Sequence, residues 1–233
     1  MKITLIALIG LLLINCKEDK KSRTINIPIE KGIYGIDVSH HQGKINWEKV
    51  KSWKEKEIKF VYIKATEGGT HVDSMYEKNI EGARKNGFLT GSYHYFRSSS
   101  LPKDQFENFK KVADFEQQDL IPLVDVEERK NWDDKTFHIN FQQFLDLIEE
   151  HYGKKPMIYT VNSFYNKYLA GKYKKYHFLI GRYGENEPFM KDNHRWTLWQ
   201  FREAGNIDGI PKAVDIDVLN PEFTLDTLLL KND

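Results

Sequence analysis

The sequence is nearly free of cysteine: Cys16 is the only one, which excludes any disulfide within the chain. It also lacks a long apolar run. Its most hydrophobic stretch, residues 2–14, has a basic start and then an apolar segment too short for a typical membrane-spanning helix. Charge of one sign is missing as well, because 35 Lys plus Arg balance 34 Asp plus Glu to a net charge of +1. That balance argues against nucleic acid as a partner and against electrostatic attraction to anionic lipid. No internal repeat is present, and no low-complexity tract lies beyond a short polar stretch after Cys16. Histidines in His-x-His or His-x-x-x-His spacing are absent too, so nothing in the pattern calls for a metal or other cofactor.

The short basic and apolar start has the profile of an export signal, predicted over residues 1–15. Leu13-Ile14-Asn15-Cys16 resembles a bacterial lipobox, with Asn15 an unusual residue before the cysteine, and implies a lipid-modified Cys16. Residues 16–32 are then a solvated tether. Residues 33–233 form the folded domain, expected to be monomeric, exported, and held to a bacterial envelope by the lipid. An ordinary cleaved signal with an incidental thiol is the competing reading.

With 233 residues, 40% of them hydrophobic, the chain can bury a substantial core. Short β-branched or aromatic runs alternate with longer amphipathic stretches, which predicts parallel strands joined by helices. Strands are expected at 33–38, 59–65, 89–95, 121–127 and 156–161, each followed by a helix, at 46–57, 73–86, 102–117, 134–151 and 163–170. Three further strands, 177–183, 196–201 and 214–218, have short connections rich in Gly, Pro and Asn. The expected fold is a distorted TIM-like α/β barrel of eight strands with helices after the first five. In such barrels the site lies at the C-terminal ends of the strands.

Those ends carry Asp37, Lys64 with Glu67, Tyr93-His94-Tyr95, Asp125 with Glu127, Tyr159, Arg182, Trp199-Gln200, and Asp215 with Asp217. Like charges gathered on one rim repel, and are tolerated mainly where they are used. Within Pro122-Leu123-Val124-Asp125-Val126-Glu127-Glu128 the two acids stand two apart, so their side chains share one strand face, about 7 Å apart at the backbone. Two carboxyls at that range suit glycoside hydrolysis, one holding a proton for the leaving oxygen while the other stays ionised. Glu127, longer and further along, is the predicted proton donor. On spacing alone, a solvated face or a salt-bridge network is the commoner explanation of such a pair. Tyr93, Tyr95, Tyr159 and Trp199 are candidate walls for a sugar, although single aromatics more often belong to the core.

In order, Gly35-Ile36-Asp37-Val38-Ser39-His40-His41-Gln42 with Trp47, Phe60-Val61-Tyr62-Ile63-Lys64-Ala65-Thr66-Glu67-Gly68, Gly91-Ser92-Tyr93-His94-Tyr95-Phe96, Asp125-Val126-Glu127, Trp196-Thr197-Leu198-Trp199-Gln200-Phe201 and Val214-Asp215-Ile216-Asp217 resemble glycoside hydrolase family 25 over about residues 33–218. The resemblance implies an N-acetylmuramidase that hydrolyses the β-1,4 bond between N-acetylmuramic acid and N-acetylglucosamine in peptidoglycan, with retention and without a metal. It implies Glu127 as acid/base, Asp125 as its partner, and Asp37 and Asp215 as flanking acids. Where the family shows Trp-x-Ala-x-Tyr, this chain has Phe178-Leu179-Ile180-Gly181-Arg182-Tyr183, read as losing the small-residue pattern and placing Arg182 at the rim. A glycan-binding lipoprotein without activity and a metal-dependent hydrolase are the alternatives.

Overall fold

In the computed structural model the described residues are 32–130 and 132–231. The predicted signal segment, Cys16 and all but the last residue of the tether lie outside them. Ten strands form one sheet: β1 (Tyr34–Val38), β2 (Ser52–Trp53), β3 (Lys56–Glu67), β4 (His71–Val72), β5 (Leu89–Tyr95), β6 (Leu123–Asp125), β7 (Met157–Val161), β8 (Phe178–Gly181), β9 (Leu198–Gly205) and β10 (Val214–Leu219). β2 and β4 pair only with β3, and the other eight close into a barrel because β1 pairs with both β3 and β10. Every neighbouring pair in the barrel is parallel except β9–β10 and β10–β1, so β10 alone runs against the rest.

The eight strands lie where the alternating pattern predicts them, with ends shifted by a few residues. Helices α1 (Tyr76–Lys85), α2 (Pro102–Val112) and α3 (Asp134–Tyr152) follow the second, third and fourth barrel strands, and a short α-turn, Asn162–Phe164, running into a π-turn, Tyr165–Leu169, follows the fifth. Their ends match the chemistry of the chain. Pro102 opens α2, Asp133 caps α3 by accepting from Thr136 N at 2.7 Å, and Gly153 ends α3 in the left-handed region at φ +73°.

The helix expected at 46–57 does not form. Trp47, Val50 and Trp53 are buried at a helical spacing, yet each is set by other contacts. Asn46 N bonds Gly209 O at 2.8 Å, Trp47 O and Asn46 O accept i→i+3 bonds of a single turn, and Trp53 pairs with Lys56 across a two-residue hairpin. The hairpin residues Lys54 and Glu55 both have positive φ, 46° and 69°, the sign a right-twisted hairpin requires. No Asn-Gly marks that turn, so the apolar spacing was the stronger signal and misled.

Inside the barrel, glycines make room for rings. A Cβ on Gly35 would stand 2.1 Å from the Phe60 ring, and one on Gly91 2.4 Å from the Tyr62 ring. Phe60 and Tyr62 are fully buried there, and Tyr62 Oη donates to Ile121 O at 3.2 Å. These rings plug the barrel interior below its C-terminal rim.

Candidate active site

At that rim a cavity of about 270 Å³ is lined by Asp37, His41, Lys64, Tyr93, Tyr95, Leu123, Asp125, Glu127, Tyr159, Leu179, Tyr183, Gln200 and Asp215. Period-two alternation produces most of this wall. Asp125 ends β6 opposite Tyr95 on β5 and Tyr159 on β7. Two bonds carry the ladder past it, Phe96 N to Asp125 O at 2.8 Å and Val126 N to Tyr159 O at 3.0 Å, and Glu127, two residues beyond Asp125, lines the same cavity. Val124 and Val126 are fully buried on the outer face.

Across the mouth, Asp37 on β1 and Asp215 on β10 are direct partners in an antiparallel pair. Like charges so placed repel. Gln200 offsets part of this: its Nε2 donates to Asp37 Oδ2 at 2.7 Å, while its Oε1 accepts from Tyr159 at 2.9 Å and from Tyr183 at 3.2 Å.

Burial and crowding raise the proton affinity of the whole ring. Burial pushes Asp37 up to about 6 against the lowering bond from Gln200, with the Glu127 charge adding to the rise. Asp215 is pushed to about 8 by burial and then by Asp37, Glu203 and Glu127. Asp125, 8% exposed, lies well above the carboxylate range because it is buried and faces Glu127 and Asp37. Burial also raises Glu127, less strongly, since hydrogen bonding with Asp125 and the Arg97 charge lower it. The two carboxyls thus hinder each other's ionisation, and the hydrogen bond within the pair raises Asp125 while lowering Glu127, favouring a shared proton on Asp125.

Two cations flank the pair, Lys64 in the cavity wall and Arg97 outside it. Lys64 Nζ donates to Glu67 Oε2 at 2.6 Å. Arg97 reaches Glu67 Oε1 through Nε at 2.8 Å and Nη2 at 2.5 Å, and Glu128 Oε1 through Nη1 at 2.9 Å. Burial opposes ionisation of Glu67, but the bonds from Lys64 and Arg97 outweigh it and hold the carboxyl near 2. The guanidinium also lies 4.4 Å from the Tyr95 ring centre, so one network fixes a cavity wall and the residue next to Glu127. Buried Gln105 locks the Arg97 backbone, accepting from its N at 2.8 Å and donating to its O at 2.9 Å.

The structure brings Asp37, Asp125, Glu127, Asp215, Tyr93, Tyr95 and Tyr159 to one cavity. Trp199 is not among them. It sits one residue before inward-facing Gln200, so its indole points to the other side of β9, packing near Trp196 and Phe201 and donating to Arg182 O at 2.6 Å. Tyr159 is largely buried, with its hydroxyl committed to Gln200. Two of the histidines are committed: His94 is buried between Thr66 and Gln105, and His40 Nδ1 lies 2.6 Å from Asp73 Oδ2. Among the described residues no group of three or more His, Cys, Asp and Glu is arranged to hold a metal ion.

Sequence reasoning missed Gln200 and Tyr183 as wall residues and undervalued Gly181. A Cβ at Gly181 would stand 2.7 Å from Tyr159 Oη and 3.3 Å from Gln200 Oε1. Leu179-x-Gly181-x-Tyr183 therefore keeps a small residue followed two places later by a tyrosine. The pattern is retained, not lost as the sequence reading had it.

A family model described as Glycosyl hydrolases family 25 matches residues 36–210. The uncharacterized protein YegX of Escherichia coli (strain K12) is 38% identical over 202 residues, which span 86% of this chain and 74% of YegX. Lysozyme M1 of Streptomyces globisporus is 29% identical over 213 residues, 85% of this chain and 71% of that protein. Among solved structures, a family 25 glycosyl hydrolase from Bacillus anthracis shares the fold with a TM-score of 0.73 at 30% identity, covering 82% of this chain and 90% of that one.

Proposed function

The chain belongs to glycosyl hydrolase family 25, and from that premise we propose that it is a lysozyme cutting the β-1,4 bond between N-acetylmuramic acid and N-acetylglucosamine in peptidoglycan. It is a glycoside hydrolase with the barrel of that family. The observation that carries the proposal is the Asp125–Glu127 pair at the floor of a cavity walled by Tyr93 and Tyr95 and faced by Asp37 and Asp215.

Glu127 is the more exposed member of the pair, and gives its proton to the glycosidic oxygen as the bond to the anomeric carbon breaks. The acetamido oxygen of the muramic acid ring then closes on that carbon, and Asp125 accepts a hydrogen bond from the acetamido N–H. An N–H donor favours the ionised form of Asp125, so substrate itself moves the shared proton onto Glu127. Water, deprotonated by Glu127, opens the cyclic intermediate, and two inversions give net retention. Gln200 holds Asp37, and the Asp37–Asp215 pair places negative charge opposite the developing cation.

Clearing of a suspension of purified peptidoglycan tests this reading. The intact chain should clear it with or without a chelator. Glu127→Gln should lower kcat by about 10²–10⁴-fold while the protein stays folded. Near-normal clearing by that variant contradicts the assignment, loss of clearing on chelation points to a metal enzyme, and no clearing by the intact chain points to a binding protein.

Export and lipid attachment at Cys16 form part of the same proposal, supported by the basic and apolar segment that precedes it. Action on glycan strands at the envelope, by a monomer, belongs to the same proposal. Cys16→Ala should move the protein out of the membrane fraction, and unchanged retention there contradicts the anchor.

A further inference from the structure

The cavity is acidic, yet the glycan proposed as its substrate carries carboxylates of its own, on the group attached to the 3-oxygen of muramic acid. A cation at the mouth would offset that repulsion. Lys64 and Arg97 are bound to Glu67 and Glu128, and Arg129 lies 3.4 Å from Asp134 and over the Tyr168 ring. Arg182 is different. It directly follows β8 at the open rim, its backbone is held by Arg182 N to Gln200 O at 3.1 Å and by Trp199 on its carbonyl, and among the described residues no carboxylate lies within ion-pair distance of its guanidinium. Its one side-chain bond is long, Nη1 to Asn162 Oδ1 at 3.5 Å.

Asn162 ties this arginine to an exposed aromatic. It accepts from Phe189 N at 3.2 Å and donates to Phe189 O at 2.9 Å, and Asn166 donates to the same carbonyl at 2.7 Å. Three bonds pin the Phe189 backbone while its side chain leaves the residue 55% exposed. A fixed backbone carrying an exposed ring is a preorganised platform, which loses little freedom when something lies on it. Tyr183, 47% exposed, continues from Arg182 into the cavity wall. Arg182 leaves β8 between cavity-facing Gly181 and Tyr183, so its side chain starts on the outer side of the rim, two strand spacings, about 10 Å, along the barrel wall from β6.

We propose that Arg182, with Phe189 and Tyr183, forms a subsite for the carboxylate borne by the 3-O substituent of a muramic acid ring. The inference rests on the lysozyme reading above. That carboxylate has two sources, the free lactyl group of a bare glycan strand and the stem peptide of an intact one, and the guanidinium fork suits either.

Steady-state cleavage is measured on two substrates, intact peptidoglycan fragments and the same strands stripped of peptide by an amidase. Arg182→Gln should raise KM three- to tenfold on at least one of them with kcat unchanged, and the affected substrate identifies the source. Arg182→Lys should restore only part of the loss, because the two-pronged contact is gone. Phe189→Ala should raise KM on the same substrate. An Arg182→Gln enzyme with unaltered KM on both substrates overturns the subsite alone, whereas an intact chain that cleaves neither overturns the lysozyme reading and the subsite with it.

Discussion

The two ends of this barrel are built on opposite principles. Below, Gly35 and Gly91 give up their side chains so that Phe60 and Tyr62 fill the interior, and burial there works with folding. Above, Asp37, Asp125, Glu127, Asp215 and Asp217 crowd into the same interior, and burial works against their charge. Asp217 makes the contrast sharpest. It is fully buried, neither carboxyl oxygen has a hydrogen-bond partner among the described residues, and burial followed by Asp37 and Asp215 raises its proton affinity well above the ordinary range. The upper end thus holds stored repulsion on a frame made rigid by the lower one. Catalytic sites commonly take that form.

Substitutions at the two ends should separate stability from chemistry. Gly91→Ala forces a methyl against the Tyr62 ring and should cost about 1–3 kcal/mol, lowering Tm by roughly 2–12 °C while the folded fraction keeps its kcat. An unchanged Tm breaks the account of a tightly plugged lower barrel.

Asp217→Asn should act in the other direction. A carboxyl whose folded pKa lies above its unfolded value contributes stability at acid pH and loses it as pH rises through the folded pKa. For Asp215 that window runs from about 4 to about 8, and Asp217 shares its sign. The asparagine variant should therefore melt roughly 2–4 °C higher than the intact chain at pH 7.5, with the gain vanishing near pH 4. A Tm gain independent of pH, or a loss at pH 7.5, contradicts burial of a titrating Asp217.

A smaller effect is expected from the network flanking the pair. The Arg97 charge lowers the proton affinity of Glu127, so Arg97→Gln should move the alkaline limb of the pH–rate profile upward, by roughly half a unit. Arg97→Lys, which keeps the charge, should shift it less. A limb that stays in place in Arg97→Gln shows that the Arg97–Glu128 contact only braces the loop.

Much of this arrangement was legible in the sequence because the barrel strands alternate in polarity. Asp37, Asp125 with Glu127, and Asp215 were readable as rim acids from strand position alone. The residues misplaced have simple origins. Trp199 was chosen over its neighbour Gln200 for its aromatic ring, although adjacent residues on a strand face opposite sides, and reading 178–183 as having lost its small residue hid Gly181 and Tyr183. The false helix at 46–57 has another origin: buried Trp47, Val50 and Trp53 repeat at three residues, and left-handed Lys54 and Glu55 leave no turn signature. The Arg97–Glu67–Glu128 network joins segments about 30 residues apart, and no local pattern announces it.

The central claim is tested most directly by identifying the reducing end released when the intact chain digests purified peptidoglycan. Borohydride reduction followed by mass spectrometry should show reduced N-acetylmuramic acid at the ends of the muropeptides, and none from the Glu127→Gln enzyme. Reduced N-acetylglucosamine at those ends, or reduced muramic acid produced equally by the glutamine variant, would contradict it.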